Sequence, residues 1–384
     1  MPKLPIYLDN NATTPADPRV LDVMLPYFTE KFGNAASRHH AFGWTAEDAV
    51  DLAREQAAAL IGAAPEELIF TSGATESVNM ALKGVSEAYR SKGNHFITVT
   101  TEHSCVMDTC RHIEKAGGRV TWLPVLSDGL LDTEALRAAI TPQTVLISVM
   151  YANNETGVIQ PMEEIGRIAR EKGVILHTDA TQAAGKVPLN VDTSGIGLLS
   201  FSAHKLYGPK GVGALYIRRR NPRVRLTPLI EGGGHEKGLR SGTLNVPGIV
   251  GFGKACQIAA EQMEKDSQKL SVLRDKLERA LLEIPGTAVN GNTHSRLPHV
   301  SNIRFAGLKG DLLMAAMPDL AISSGSACTS ASPEPSHVLM AMGLNEEEAR
   351  ASLRFSLGRF TEETDIDFAI NTCRKAVEKL RSNG

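Results

Sequence analysis

Cys328 is the residue of this chain best placed for covalent chemistry. It sits in a run of small side chains, Ser323–Ser332. Nothing in that run carries enough apolar bulk to bury a thiol, so we expect the segment to be exposed and mobile. An accessible cysteine can ionise to a thiolate, which is a nucleophile. The sequence therefore predicts a reactive thiol, and the remaining polar motifs indicate what it reacts with.

A glycine-containing turn follows the predicted strand Leu68–Thr71 and precedes a predicted helix that begins near Glu76. A strand, a tight turn and a helix leave several backbone N–H groups pointing at one spot, which suits a phosphate. The simpler alternative is that Ser72 or Thr75 only caps the helix. This segment alone does not decide between the two.

An acid and an amine follow two other predicted strands. Asp179 comes after Val174–His177, where a partly buried carboxylate needs a partner to stay ionised. Lys205 comes after Leu198–Ser202 and precedes a Gly/Pro-rich turn, a setting that suits Schiff-base chemistry. Taken singly, Lys205 reads as a surface lysine, and Lys210 is a nearby competitor for its role.

A phosphate site, a carboxylate and an amine at neighbouring strand ends are what pyridoxal 5'-phosphate (PLP) requires. We therefore predict PLP as the cofactor. His103 ends another strand and is predicted to stack on the cofactor ring as an acid–base group, or else simply to cap a helix. Asn154 ends a further strand and offers an amide to the ring oxygen or the substrate.

The elements that position these residues alternate between strands and helices from about residue 65 to 220. Further strands are predicted at His95–Val99, Val145–Met150 and Ala214–Ile217, with helices at Ser104–Lys115 and Met162–Lys172. This alternation is typical of an α/β protein with a largely parallel sheet. In such sheets ligands bind beyond the carboxyl ends of the strands.

The C-terminal part has a different pattern. One long helical stretch covers residues 248–285, and strands near Val300–Phe305 and Ser352–Ser356 precede a final helix from about Thr364. We predict a large PLP-binding domain over 14–258. A small domain is predicted over 1–13 and 259–384, carrying the mobile cysteine loop 323–333.

Composition excludes several classes of function. The formal net charge is -2 with a pI near 6.6, which argues against nucleic acid or an anionic membrane as a partner. The basic run Arg218–Arg220 reads as a solvated strand end. No segment approaches the roughly 18 apolar residues of a membrane span. The 5 cysteines suit neither a disulfide framework nor a metal knuckle, and we expect a cytoplasmic protein.

Five segments together closely resemble the bacterial cysteine desulfurases of the NifS/IscS type, which are class V, fold-type I PLP enzymes. They are Tyr7–Thr14, Ser72–Ser77, Asn153–Gly157, His204–Lys205 and Ser323–Ser332. The resemblance covers essentially the whole chain. It implies a large domain with a mostly parallel mixed sheet covered by helices, plus a smaller α+β domain.

The resemblance also implies a role for each matching residue. Lys205 is similar to the Schiff-base lysine, Asp179 to the acid on the pyridine nitrogen, and His103 to the stacking imidazole. Arg354 resembles the arginine that binds the substrate carboxylate, although by itself it reads as a surface arginine at a strand end. Gln182 and Asn154 match positions that bond the ring oxygen or its surroundings. The residues that match the phosphate site are Ala74, Thr75, Ser202 and His204. Thr243 matches a residue that reaches the phosphate from the other subunit, which implies a homodimer.

The implied activity is conversion of L-cysteine to L-alanine with a persulfide left on Cys328. The sulfur would pass to an acceptor protein, such as an iron–sulfur scaffold or a partner in thio-modification. Cys328 would touch a metal only transiently, through the persulfide in a scaffold complex. The alternatives are a selenocysteine lyase, an aminotransferase and a non-catalytic sulfur-assembly scaffold.

Overall fold

The computed structural model describes residues 3–325 and 334–382 of the chain. Its strands are β1 (Ile6–Tyr7), β2 (Leu68–Thr71), β3 (His95–Val99), β4 (Arg119–Leu123), β5 (Thr144–Ser148), β6 (Ile175–Asp179), β7 (Leu198–Ser202), β8 (Gly213–Ile217), β9 (Thr287–Val289), β10 (Val300–Phe305), β11 (Leu320–Ala321) and β12 (Ser352–Ser356).

The α-helices are α1 (Pro18–Met24), α2 (Pro26–Thr29), α3 (Ala41–Leu60), α4 (Ala74–Ala88), α5 (Ser104–Lys115), α6 (Thr133–Ala139), α7 (Met162–Lys172), α8 (Val246–Leu282), α9 (Gly310–Ala315), α10 (His337–Ala341), α11 (Glu346–Arg350) and α12 (Glu363–Ser382). Single turns of 3-10 helix lie at Pro65–Glu67, Ala203–Lys205 and Glu236–Gly238. No helix in the described ranges is both long and apolar enough to cross a membrane.

Seven strands form the large sheet, in the order β2-β8-β7-β6-β5-β3-β4. Neighbours from β7 to β4 run parallel, whereas β8 is antiparallel to both β7 and β2. Because β2 therefore points the same way as β7, every strand of this sheet except β8 ends at the same edge. This confirms the predicted mostly parallel mixed sheet, and that edge is where ligands bind in α/β folds.

The large sheet is covered on both faces. Side chains alternate between faces along a strand. Phe96 accordingly belongs to one buried cluster and Ile97 to another, and Leu198 and Leu199 divide in the same way. Burial on both faces explains why these strands read as nearly continuous apolar runs in the sequence.

A second, three-stranded antiparallel sheet has the order β12-β10-β9 and packs its own core around residues such as Leu277 and Phe355. Helix α8 serves both cores, since Ile249 packs with the large sheet and Leu277 with the small one. The predicted division of the chain at residues 258 and 259 falls within this helix and stays a prediction.

Several details differ from the sequence-based expectations. The strand expected at Val174–His177 runs over Ile175–Asp179, so Asp179 is its last residue rather than the start of a loop. The strand expected at Val145–Met150 ends at Ser148. Strand β4 was not predicted because it is the edge strand and is mostly only half-buried, which weakens its apolar pattern.

Candidate active site

A cavity of about 170 Å³ opens at the carboxyl edge of the large sheet. It is lined by the N-terminal segment, by turns that follow parallel strands, and by β12: Asn11, Ala12, Ala74, Thr75, His103, Cys105, Met150, Ala152, Asn154, Asp179, Thr181, Gln182, His204, Lys205 and Arg354. Most of the predicted site residues therefore line one cavity, although they come from sequence segments far apart.

Lys205 ends the 3-10 turn that follows β7. Its ammonium group donates to the carbonyl oxygen of Ala12 at 2.7 Å and also to that of Asn11. The backbone of the N-terminal segment therefore holds the amine at the cavity wall. Lys210, the competing lysine, is exposed and does not line the cavity.

Asp179 is 6% exposed, and its Oδ1 accepts a hydrogen bond from the Thr181 backbone N–H at 2.9 Å. No arginine forms an ion pair with it in the described part of the chain. Buried carboxylates are normally paired, so Asp179 is suited to a cationic group of a ligand. Glu102 is fully buried nearby, and burial together with the charge of Asp179 raises the pKa of its carboxyl well above the usual value.

His103 is the N-cap of α5, and its Nδ1 accepts from the backbone N–H of Cys105 at 3.2 Å. The ring also lines the cavity. The two sequence interpretations of His103, as a helix cap and as a site residue, are therefore compatible. Since Nδ1 is an acceptor, the neutral imidazole carries its proton on Nε2.

The turn before α4 has the geometry of an anion site. Gly73 is the N-cap and makes no side-chain cap bond, so the alternative in which Ser72 or Thr75 caps the helix is wrong. A Cβ atom built at Gly73 would meet only Ser202 Oγ, at 3.9 Å, which leaves the space beside the helix N-terminus open. Open space beside free N–H groups suits a phosphate.

Ser202 lies beside this turn, and His204 lines the same cavity as Ala74 and Thr75. His204 Nδ1 lies 3.1 Å from Thr13 Oγ1. Burial, with the charges of Lys205 and Lys210, lowers the pKa of His204 to about 4. A neutral His204 can donate a hydrogen bond without adding charge. Ser202 is buried beside Gly73 but does not itself line the cavity.

Arg354 is 1% exposed, so its interpretation as a surface arginine at a strand end is wrong. Its Nη2 pairs with Asp9 Oδ1 at 2.5 Å, and its Nη1 donates to the Asn154 carbonyl oxygen at 2.9 Å. The guanidinium is thus fixed at the cavity by two partners. Gln182 is fixed similarly, because its Nε2 donates to the Asn11 carbonyl oxygen at 3.0 Å.

Besides Ser202, two predicted residues are not in this cavity. Thr243 is exposed and does not line it, whereas Cys328 lies outside the described residues. The contacts of Asp9 and Asn11 and the position of Cys105 were not predicted. The motif Tyr7–Thr14 was a signal for the first two, but nothing in the sequence indicated that Cys105 faces the cavity.

Comparison with known proteins identifies the family. The aminotransferase class-V family profile matches residues 6–368. A cysteine desulfurase IscS from Rickettsia peacockii is 54% identical over 380 residues, which cover 99% of this chain and 92% of the relative.

Among solved structures, a NifS-like protein superposes with a TM-score of 0.90 at 38% identity and covers 98% of this chain and 99% of its own. A second structure, described as SspA in complex with cysteine, has a TM-score of 0.82 at 38% identity and covers 93% and 99%. The cavity, the fold and these likenesses agree: the chain belongs to the aminotransferase class-V family, among the cysteine desulfurases of the NifS/IscS type.

Proposed function

We propose that this protein is a PLP-dependent cysteine desulfurase that converts L-cysteine to L-alanine and leaves a persulfide on Cys328. The observation that carries the proposal is the convergence of Lys205, Asp179 and the N-terminus of α4 on one cavity. The name and identity of the IscS relatives support the same reaction.

The residues of the cavity fit PLP. Lys205 would bond the cofactor, the buried Asp179 would pair with its pyridine nitrogen, and the backbone of Ala74 and Thr75 would bind its phosphate. His204, which lines the same cavity, and Ser202, which lies beside Gly73, would complete the phosphate site. His103 would stack on the ring, and Gln182 and Asn154 would bond its oxygen. When bound, PLP withdraws electrons from the α-carbon of the substrate amino acid.

The other steps belong to the side chains. Arg354 would orient the substrate through its carboxylate, for which a planar guanidinium is suited. Lys205 and His103 would move protons, His103 through Nε2 because Nδ1 is held by the Cys105 N–H. The Cys328 thiolate would attack the substrate sulfur while its bond to carbon breaks. Cysteine and the enzyme thiol thereby give alanine and the enzyme persulfide, with all atoms accounted for.

A homodimer is part of the proposal. Apolar side chains of α1 to α3 and the turns beside them are exposed: Leu25 at 61%, Phe28 at 59%, Phe32 at 63% and Trp44 at 53%. Adjacent exposed apolar groups on this scale mark an interaction surface. In such a dimer Thr243, which does not line the cavity of its own chain, would reach the phosphate of the partner subunit, as the family resemblance implies.

The sulfur acceptor would be another protein in the cytoplasm, such as an iron–sulfur scaffold or a carrier for thio-modification. Any contact of Cys328 with an iron–sulfur cluster would be transient and through the persulfide. A protein acceptor suits this reaction because the proposed persulfide keeps the sulfur bound to the Cys328 side chain and does not release it into solution.

The test is incubation of the PLP-loaded protein with L-cysteine, followed by mass analysis of Cys328 and measurement of alanine. We expect a mass increase of one sulfur atom on Cys328 and one alanine for each persulfide. Cys328→Ser should bind cysteine, as shown by a change in cofactor absorbance, but release no sulfide. Cys373→Ala, a thiol of the small core, is the control and should keep the activity.

Retained sulfide release in Cys328→Ser would overturn the nucleophile role. Turnover of L-selenocysteine alone would indicate a selenocysteine lyase, and transfer of the amino group without sulfide would indicate an aminotransferase. A purified protein that binds no PLP would indicate the non-catalytic scaffold.

A further inference from the structure

Three potential metal ligands lie together at one side of the cavity. A ring nitrogen of His103, the Sγ of Cys105 and a carboxylate oxygen of Asp179 are all within 4.8 Å of one another. Cys105 Sγ is 3.0 Å from His103 Nδ1 and 4.0 Å from Asp179 Oδ2. The proposed reaction gives Asp179 and His103 a role but assigns none to Cys105.

The spacing and chemistry of this triad match zinc. Zn²⁺ binds thiolate, imidazole and carboxylate in a tetrahedron, and its bond lengths place neighbouring ligand atoms roughly 3.5 Å apart. The two measured separations, 3.0 and 4.0 Å, lie on either side of that value. The triad supplies three corners, and the open cavity leaves room for a water molecule at the fourth.

Electrostatics favour a cation at the same place. Asp179 is buried without an arginine partner in the described part of the chain. A divalent cation at this place would neutralise the buried charge of Asp179.

We propose that the cofactor-free protein binds one Zn²⁺ through His103, Cys105 and Asp179, and that zinc and PLP exclude each other. Binding converts the Cys105 thiol to a zinc-bound thiolate and releases one proton to solvent. If the metal uses His103 Nδ1, it replaces the hydrogen bond from the Cys105 N–H. The exclusion rests on the proposed function, because Asp179 cannot hold the metal and the pyridine nitrogen together.

The consequence is control of cofactor loading by free zinc. A ligand that binds only the cofactor-free form reduces the apparent affinity for PLP by the factor one plus its concentration over its dissociation constant. Free zinc at ten times its dissociation constant should therefore weaken PLP binding by about 11-fold. Cysteine desulfurase activity would then depend on zinc through the supply of loaded enzyme.

The first experiment titrates cofactor-free protein with Co²⁺, which substitutes for zinc and gives a sulfur-to-metal absorption band when a thiolate binds it. A Cys328→Ser background removes the nucleophilic thiol of the proposed reaction, which could also bind the metal. We expect one Co²⁺ per chain, displaced by Zn²⁺, and loss of the band in Cys105→Ala. The control is Cys110→Ala, five residues further along α5, because burial raises the pKa of that thiol to about 12.

Persistence of the band in Cys105→Ala, or its loss in Cys110→Ala, would overturn the metal site. Asp179→Asn should weaken Zn²⁺ binding at least ten-fold, and unchanged affinity there would also count against it.

The second experiment measures PLP binding by absorbance, with and without Zn²⁺, in the same background. Zinc should weaken PLP binding in the parent but not in Cys105→Ala. Equal PLP binding with and without zinc in the parent would overturn the exclusion. A chain that shows the cobalt band and never binds PLP would instead refute the proposed function and leave the metal site supported.

Discussion

The Asp9 carboxylate lies 2.5 Å from the Arg354 guanidinium, an ion pair that joins the N-terminal segment to β12. The Arg354 side chain is 1% exposed, so water cannot replace a lost partner. Breaking a buried pair by removing one member leaves an uncompensated charge and is strongly destabilising. We expect Asp9→Ala to lower the free energy of unfolding by about 3 kcal/mol, measured by urea denaturation.

The control is the exposed pair of Arg111 and Asp108, whose side chains are 57% and 68% exposed. Solvent-exposed pairs contribute little, so Asp108→Ala should change stability by less than about 1 kcal/mol. Equal losses in the two variants would show that burial of Arg354 does not determine the cost.

Replacing Lys205 tests the covalent link to the cofactor. Lys205→Ala removes the only amine that lines the described cavity, so we expect loss of the absorbance of lysine-bound PLP and of all turnover. The amine also holds the carbonyl oxygens of Asn11 and Ala12, so cofactor-free stability should fall as well. Lys210→Ala, an exposed residue five positions on, should leave both properties unchanged. Normal alanine formation in Lys205→Ala would refute the assignment.

A substitution at Gly73 tests whether the turn before α4 binds the cofactor phosphate. Its φ of +153° lies in a region that L-residues rarely adopt, although a Cβ would meet only Ser202 Oγ at 3.9 Å. An alanine there has space but strains the backbone, and relaxation would turn the N–H groups of the α4 terminus away from the phosphate. We expect Gly73→Ala to weaken PLP binding about ten-fold, equivalent to about 1.4 kcal/mol.

A matched control is available at Gly117, which has a φ of +90° and no atom within 4 Å of a built Cβ. Gly117→Ala carries a comparable backbone strain away from the cavity, so it should lose stability and keep its PLP affinity. If both variants lose PLP affinity alike, general destabilisation is the cause rather than the geometry of the turn.

The strands could be predicted from the sequence because apolar runs mark buried strands, although the ends of β5 and β6 were each predicted two residues away from where they lie. Asp179, Lys205 and the turn at Gly73 were identified in that way. Contacts between residues distant in sequence could not be predicted. The Asp9–Arg354 pair spans 345 positions and the Lys205–Ala12 hydrogen bond spans 193. The bounds of α5 were predicted correctly, but the position of Cys105 at the cavity depends on how this helix packs in the fold, which apolar spacing alone does not determine.

Exposed aromatic residues in and beside α3 allow a test of the proposed dimer. Phe32 and Phe42 have ring centroids 5.2 Å apart and are 63% and 51% exposed. A charge at Phe32 would be buried without a partner in the proposed interface. We expect Phe32→Glu to shift the protein from dimer to monomer in analytical ultracentrifugation. PLP retention should also weaken, because Thr243 of one subunit would no longer reach the cofactor of the other. Leu312→Glu, 52% exposed on α9, should stay dimeric, and a dimeric Phe32→Glu would place the interface elsewhere.

The buried ring of His177 should make the free energy of unfolding depend on pH. The ring is fully buried, with Nδ1 2.8 Å from Ser148 Oγ and Nε2 3.1 Å from Ser200 Oγ. Burial lowers its pKa from 6.5 to about 3. Between those values the unfolded chain binds more protons than the folded one, so the folded state loses stability as the pH falls. One such group contributes up to about 1.4 kcal/mol per pH unit.

His177→Gln removes that titration and keeps a polar group between the two serines. Its urea midpoint should therefore fall less steeply than that of the parent between about pH 6.5 and pH 4. Some slope should remain, because burial also lowers the pKa values of His204 and His299. His294→Gln, an exposed histidine, should reproduce the parent profile. If the urea midpoint of His177→Gln depends on pH as steeply as that of the parent, His177 is not the group whose protonation destabilises the folded state.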